Sequence, residues 1–220
     1  MLQSYQPLMR LKNCVHCGYD AMTEKTLENE YIAKTREGLS AQIDEALLAP
    51  RGFDLRGIEA GGKDCVLVMG LNPAGDVTDA RREEEDRTLF DELALSVSDR
   101  PWPVFFGDMF YYHGTDSNNL PYRTDWSDEQ YGEYCWKMLE KHVCELQAYG
   151  KNVQFVYINS AKVSHWLCPD PQKTNEFSVL GNSLVPIFYG AMLSSGRMDE
   201  YSMARLVNEI RDIVNPGKPY

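Results

Sequence analysis

The stretch that most constrains the fold is a short apolar run that ends in a cluster of turn residues. Cys65 to Met69 contains five consecutive apolar residues, and the sequence GLNPAGD (70–76) follows directly. An apolar run of this length without polar alternation is typical of a strand that is covered on both faces, as in a parallel sheet between helices. The sequence therefore predicts an α/β fold with this strand inside the sheet.

Glycine and proline end the predicted strand abruptly, because both favour turns over extended backbone. In open α/β sheets, ligands bind beyond the carboxyl ends of the strands, where such turns lie. A buried strand that delivers Asn72 into this turn is therefore a candidate site. A plain strand-to-loop turn is the alternative interpretation of the same residues.

A second strand is predicted over Val153 to Ile158, which is rich in β-branched and aromatic residues and ends at Asn159-Ser160. Two predicted strands thus each place an asparagine at the carboxyl end. Because a buried amide without a partner is costly, each asparagine is expected to bind either a backbone group or a ligand.

Helices are predicted from the spacing of apolar residues. Ser127 and Gln130 form a capping box, and the helix that they open is expected to stop at Gly150. Further helices are predicted within 22–48 and over Leu89–Val97, Leu184–Leu193 and Met203–Val214, and a loop is predicted over 165–171. No repeat or linker is visible, so we expect one domain over 1–220, with an acidic insertion near 77–100.

Charge and hydropathy limit the partners of the chain. The net charge of −11 argues against non-specific duplex binding by the chain as a whole, although a local basic groove is compatible with it. No apolar run approaches the roughly 18 residues of a membrane helix, and no secretion signal is visible. We therefore expect a cytoplasmic protein that does not bind membranes.

The segment from Pro101 to His113 is the most aromatic part of the chain. An edge strand or a core loop, with the rings in the core, is the interpretation that composition favours. A stacking platform for a nucleic-acid base is the alternative.

Three short motifs carry a resemblance to a known family. GLNPAG (70–75) resembles the first motif of the uracil-DNA glycosylase superfamily, closest to the G-I-N-P-G form of its mismatch-specific branch. VYINSAK (156–162) resembles the V-Y-I-T-N-x-x-K stretch of the iron–sulfur branch, and Pro103 to Gly107 resembles the aromatic-glycine motif of that branch. The resemblance implies a three-layer α/β/α sandwich with a central, mainly parallel sheet.

The resemblance also implies a function, the hydrolysis of the N-glycosidic bond of uracil or a related damaged base in DNA. Asn72 would orient the attacking water. The residues that line the site with it would be Gly70, Leu71, Pro73 and Gly75. Asn159 would read the base, since an amide offers a donor and an acceptor together, and Phe105 or Phe106 would stack on it.

One departure from the family favours other functions. The last motif of the family, a His-Pro-Ser-like or Asn-Pro-Ser-like loop that grips DNA and stabilises the leaving base, has no counterpart after Asn159. Together with the acidic charge, this favours an inactive or repurposed member that binds a base, a nucleotide or a protein partner. A third hypothesis is an unrelated α/β protein whose GLNPAG turn cradles an anion.

A possible metal site comes from two pairs of residues. Cys14-x-x-Cys17 has the spacing of a metal knuckle, and the iron–sulfur branch combines such a knuckle with two cysteines after the second asparagine motif. Here only Cys168 follows that motif, but His165-x-x-Cys168 completes a Cys3His set that suits structural zinc. An iron–sulfur cluster and free cysteines are the alternatives. The metal would fasten the segment 10–20 to the loop after the second strand.

Overall fold

The computed structural model of the protein describes residues 53–54, 58, 62–72, 90–98, 102–110, 126–191, 193 and 200–215. The predictions that lie outside these ranges concern Cys14, Cys17, the segment 10–20, the helices within 22–48, Pro73, Gly75 and the acidic stretch 79–87. None of the helices within the described ranges is long and apolar enough to cross a membrane.

Six strands in the described ranges form one sheet, in the order β1-β3-β2-β4-β6-β5. The strands are β1 Phe53–Asp54, β2 Asp64–Gly70, β3 Val104–Asp108, β4 Asn152–Asn159, β5 Asn175–Leu180 and β6 Ser183–Gly190. The four inner strands are parallel, whereas β1 and β5 pair antiparallel at the two edges. The strand predicted from the apolar run is β2, and it lies inside the sheet as expected.

The helices complete three layers. They are α1 over 90–97, α2 Asp128–Ala148, α3 Ala161–Leu167 and α4 Glu200–Val214. α2 and α3 cover one face of the sheet, and α1 and α4 cover the other. This arrangement confirms the α/β class. The prediction of a single domain over 1–220 extends beyond the described ranges.

β2 supplies side chains to both core layers. Cys65, Leu67 and Met69 pack beneath α2 and α3, whereas Val66 and Val68 pack beneath α1 and α4. Each of these side chains is at most 1% exposed. The apolar run lacks polar alternation because both faces of the strand are buried.

α2 begins at the predicted capping box. Ser127 Oγ accepts a hydrogen bond from Gln130 N at 3.3 Å, and Gln130 Oε1 accepts one from Ser127 N at 2.8 Å. Past its end, Gly150 has a φ of 76°, which glycine adopts without steric cost. The bounds of this helix therefore follow from local sequence alone.

The predicted helix over Leu184–Leu193 is wrong, because most of this segment forms β6. A two-residue turn at Gly181-Asn182 joins β5 to β6, and the φ of 58° at Gly181 suits the first turn position of a type II′ hairpin. Ile187 and Phe188 are buried in opposite core layers. Spacing alone does not separate such a two-sided apolar run from a short buried helix.

The predicted loop over 165–171 is also corrected, because its first part belongs to α3. Ser160 caps this helix, and its Oγ accepts a hydrogen bond from Val163 N at 3.3 Å. The chain therefore passes from β4 into a helix through one residue. The helix stops at Leu167, two residues before Pro169.

Candidate functional site

The order of the parallel strands changes direction between β2 and β4, a topology that in open α/β sheets places a crevice at the carboxyl ends of the two strands. The chain continues from β2 to β3 by way of α1 on one face, and from β4 toward β6 by way of α3 on the other face. This divergence of the two connections is a topological switch point, at which ligands of open α/β sheets bind. The two asparagines that the sequence singled out follow these two strands.

Four residues form a row across the carboxyl end of the sheet, which we call the carboxyl-end row. Asp108 of β3 is the Cα partner of Gly70 of β2, and Asn159 of β4 is the Cα partner of Gly190 of β6. The parallel pairing of β2 with β4 brings the two pairs level with each other. Each of the four lies two residues after a side chain of the layer beneath α1 and α4. Because side chains two apart on a strand point to the same face, all four share that face.

At the two glycines of the carboxyl-end row, a side chain from a neighbouring strand takes the space that a Cβ would need. A Cβ at Gly70 would overlap the Oδ1 of Asp108, and a Cβ at Gly190 would overlap the hydroxyl of Tyr157. The Tyr157 hydroxyl donates a hydrogen bond to Ala191 O at 3.2 Å. Burial, together with the charge of Glu209, raises the pKa of Tyr157 far above its usual range. The phenol of Tyr157 therefore stays neutral, and it fills the space beside Gly190.

Asn159 has a backbone partner, which is one of the two possibilities that the sequence left open. Its Oδ1 accepts a hydrogen bond from the backbone N–H of Leu193 at 2.6 Å. This bond orients the side chain, and it means that the amide oxygen is engaged by the protein backbone. The Nδ2 group is the half that remains to meet a ligand, as a hydrogen-bond donor.

Asn72 lies just past the end of β2 and is half-buried. The chain after β3 continues alongside this turn, because Met109 N donates to Gly70 O at 3.0 Å and Phe110 N donates to Leu71 O at 2.9 Å. Leu71 is buried in the core layer beneath α2. The start of the turn is therefore fixed to the sheet by backbone hydrogen bonds and by an apolar anchor.

The two phenylalanines that were expected to stack on a base lie inside the core layers. Phe105 is 1% exposed beneath α2, and it is level with Leu67 rather than with the end of β2. Phe106 is half-buried on the opposite face, with its ring 5.5 Å from that of Phe90 in an edge-to-face contact. Phe105 would have to leave the core to stack on a base, so the prediction of stacking remains open for Phe106 alone. The segment is an inner strand, not an edge strand.

Aromatic rings pack beside Leu71 on the α2 side of the sheet. Phe110 stacks on Tyr134 with ring centroids 5.0 Å apart, and Tyr131 stacks on Trp166 with centroids 4.4 Å apart. All four rings are buried. These contacts join α2, α3 and the segment after β3, and Phe110 is the one of the four rings that lies in the segment Pro101 to His113, whose rings composition placed in the core.

The half of the predicted metal site that can be described shows two donors in other contacts. His165 is exposed, and its Nε2 lies 3.6 Å from Oδ2 of Asp128. Cys168 donates a weak hydrogen bond to Asp170 O at 3.8 Å, and burial raises the pKa of its thiol. Within the described ranges no group of three or more metal-binding side chains occurs. The zinc or iron–sulfur site stays a prediction that depends on Cys14 and Cys17.

Asp108 is the charged residue of the carboxyl-end row, and the sequence interpretation singled out neither it nor Gly190. The signal was present, because Asp108 ends an apolar run from Val104 to Gly107 just as Asn72 and Asn159 follow the runs of β2 and β4. The surrounding segment was read as one aromatic stretch, which hid the boundary of the strand. β3 and β4 therefore end in polar side chains, and β2 between them is followed by one two residues later.

No protein-family model matches the chain, and no curated protein matches it either.

Proposed function

We propose that the protein is a DNA glycosylase that hydrolyses the N-glycosidic bond of uracil or a related damaged base. One observation carries the proposal: Asn72 lies just past β2 and Asn159 ends β4, the two neighbouring parallel strands at which the connections diverge. The motifs that resemble the uracil-DNA glycosylase superfamily contain the same two residues. The three-layer α/β/α arrangement agrees with what that resemblance implies.

The roles of the two asparagines differ. Asn72, at the start of a turn that backbone hydrogen bonds fix to the sheet, would orient a water molecule toward the anomeric carbon. Asn159 would donate a hydrogen bond from Nδ2 to a carbonyl oxygen of the flipped base, since Leu193 already occupies its Oδ1. A glycosylase must hold an extruded base by its hydrogen-bonding edge, and amides suit this task.

A structural zinc remains part of the proposal. Cys14, Cys17, His165 and Cys168 would hold it, and it would fasten the N-terminal segment near α3. His165 is exposed and Cys168 is half-buried, so both side chains are accessible to a metal from the protein surface. Zinc would lower the pKa of the Cys168 thiol and offset the effect of its burial.

The second candidate is a repurposed member of the same fold that binds a base, a nucleotide or a protein partner without cleavage. The contact that favours it is the bond between Leu193 N and Asn159 Oδ1, because it removes half of the expected reading edge. The buried ring of Phe105 and the net charge of −11 point the same way.

Uracil excision from single-stranded and mismatched duplex DNA separates the two candidates. Single strands are included because they lower the cost of extruding the base. We expect wild type to release uracil and Asn72→Ala to lose this activity. Asn208→Ala changes an exposed asparagine on α4 and is the matched control.

Failure of folded wild-type protein to release uracil from either substrate would contradict the enzyme proposal for this base. Binding of uracil-containing DNA without release would then support the second candidate. Equal activity in wild type and Asn72→Ala would contradict the role of Asn72.

A further inference from the structure

The proposed hydrolysis needs a group that accepts a proton from the attacking water. The amide of Asn72 donates and accepts hydrogen bonds, but it does not take up a proton at neutral pH. General bases are most often imidazoles or carboxylates within hydrogen-bond reach of the proton that they remove. A carboxylate at the carboxyl-end row would supply this function.

We propose that Asp108 is the catalytic base of this site, an inference that rests on the proposed glycosylase function. Asp108 ends β3 and is the Cα partner of Gly70. Because Gly70 has no Cβ, the carboxylate of Asp108 lies over the end of β2, in the space that any other residue at position 70 would fill. Asn72 follows only two residues after Gly70.

Backbone hydrogen bonds fix Asp108 against the turn that follows β2. Met109 N donates to Gly70 O at 3.0 Å, and Phe110 N donates to Leu71 O at 2.9 Å. The chain segments after β2 and β3 therefore run side by side past the end of the sheet. The backbone that carries Asp108 is therefore already ordered before the substrate binds, and such ordering lowers the entropic part of a barrier.

Asp108 and Asn159 flank Gly70, the last residue of β2, from its two sides. They lie on neighbouring strands of β2, so their Cα atoms are about 10 Å apart, which is two strand spacings. Asn159 would face the base and Asp108 would face the water. This division of roles matches the chemistry of the two side chains, because one presents a donor and the other presents only acceptors.

The step balances without a further reactant. The water oxygen forms a bond to C1′ of the deoxyribose while Asp108 accepts a proton from that water. The bond between C1′ and the base nitrogen breaks, and its electron pair leaves with the base, which then takes a proton from solvent, while Asp108 returns its own proton to solvent. The products are the free base and an abasic sugar with a hydroxyl group at C1′.

Asp108→Asn tests the proposal through two measurements, the rate of uracil release and the affinity for DNA. A structural defect would lower both, whereas the loss of a catalytic base lowers the rate alone. We expect the single-turnover rate of uracil release from single-stranded DNA to fall by roughly 10²- to 10⁴-fold, the usual contribution of a general base. DNA affinity, measured by fluorescence anisotropy, should stay equal or increase, because the substitution removes a negative charge near the phosphates. Glu133→Gln removes the same charge from an exposed position on α2 and should leave the rate unchanged.

The outcomes distinguish this inference from the proposed function. An unchanged rate in Asp108→Asn, or a loss of rate matched by a loss of affinity, overturns the role of Asp108 and leaves the glycosylase function standing. No release by wild type overturns both. If Asp108→Asn does not fold, Asp108→Glu decides: a folded Glu variant keeps the carboxylate and should retain measurable release, and a folded Glu variant without release overturns the role.

Discussion

The backbone N–H of Leu193 donates to the side-chain Oδ1 of Asn159 over 2.6 Å, which fastens the chain after β6 to the end of β4. Leu193 is only 4% exposed, so this N–H has little access to water. The same asparagine therefore supports the fold through its oxygen and is available to a ligand through its nitrogen.

Two substitutions of Asn159 separate these roles. Asn159→Ala leaves the N–H of Leu193 without an acceptor, and we expect unfolding free energy to fall by about 1–3 kcal/mol. Asn159→Asp keeps an acceptor at that position and should cost less. Both variants remove the Nδ2 donor, so both should lose uracil release. Urea unfolding and the excision assay provide the two readouts.

Equal destabilisation by Asn159→Ala and Asn159→Asp would contradict the structural half of this prediction. Retained excision in the folded Asp variant would contradict the functional half.

Gly70→Ala should affect activity more than stability. The new Cβ would meet the Oδ1 of Asp108, so this carboxylate must turn away from the end of β2. We therefore expect the excision rate to fall, with a change in unfolding free energy within about 1 kcal/mol, as for alanine in place of glycine in a strand. In the background of Asp108→Ala, the same substitution should have no further effect on the rate. Gly62→Ala is the control, because nothing lies within 4 Å of its Cβ position.

Gly190→Ala should show the opposite balance. Its Cβ would meet the hydroxyl end of Tyr157, whose ring is buried and bonded to Ala191 O, so it has little freedom to move. Overpacking of this kind costs about 1–3 kcal/mol. Thermal or urea unfolding measures the loss of stability relative to Gly62→Ala. An unchanged unfolding free energy in Gly190→Ala would contradict the prediction, because it would mean that the Tyr157 ring can move aside.

Metal analysis tests the Cys3His set. We expect about one zinc per chain in the purified protein. Cys168→Ser and His165→Ala should lower the zinc content, although His165 must first leave Asp128, which lies 3.6 Å from its Nε2. Cys144→Ala changes a buried cysteine outside the set and should keep the metal. Iron with visible absorbance would favour the cluster, and metal-free wild type would favour free cysteines.

Stability should fall in alkaline solution because of the buried thiols. Burial raises the pKa of Cys65 from 9.0 to about 12, so above pH 9 the unfolded chain loses this proton while the folded chain keeps it. The unfolding free energy should then decrease by up to about 1.4 kcal/mol per pH unit because of this thiol. Below pH 9 the thiol is protonated in both states, so the full stability is present there. Urea unfolding between pH 8 and about 10.5 should give a shallower slope for Cys65→Ala than for wild type. If wild type and Cys65→Ala lost stability with pH at the same rate, the raised pKa of Cys65 would be contradicted.

Local chemistry predicts the elements whose signals are strong. The uninterrupted apolar run of Cys65 to Met69 identifies an inner strand because burial on both faces removes polar residues. Ser127 and Gln130 predict the start of α2 because a capping box satisfies backbone donors that the helix itself leaves free. Neither signal depends on a distant part of the chain.

The elements that were mispredicted depend on partners that are distant in sequence. β6 becomes a strand because β4 and β5 pair with it, although Gly181-Asn182 offered a hairpin signal. α3 has only seven residues, too few for a helical apolar pattern, and Ser160 was its one local mark.

The candidate site shows the same division. The turn after β2 and the asparagine after β4 are visible in sequence because each interrupts an apolar run. The position of Asp108 over Gly70 and the bond from Leu193 to Asn159 arise from strand register and from a return of the chain, which no local pattern encodes.

The order of strands also determines when the crevice can exist during synthesis. The chain places β3 on one side of β2 and only later adds β4 and β6 on the other side. A nascent chain that has not yet reached β4 contains Asn72 and Asp108 but lacks the opposite wall, and Asn159 gains its backbone partner only after Leu193 has been made. Pairings between such distant segments form slowly. Until β4 has been made, therefore, one edge of β2 presents backbone N–H and C=O groups that are not yet paired with a neighbouring strand.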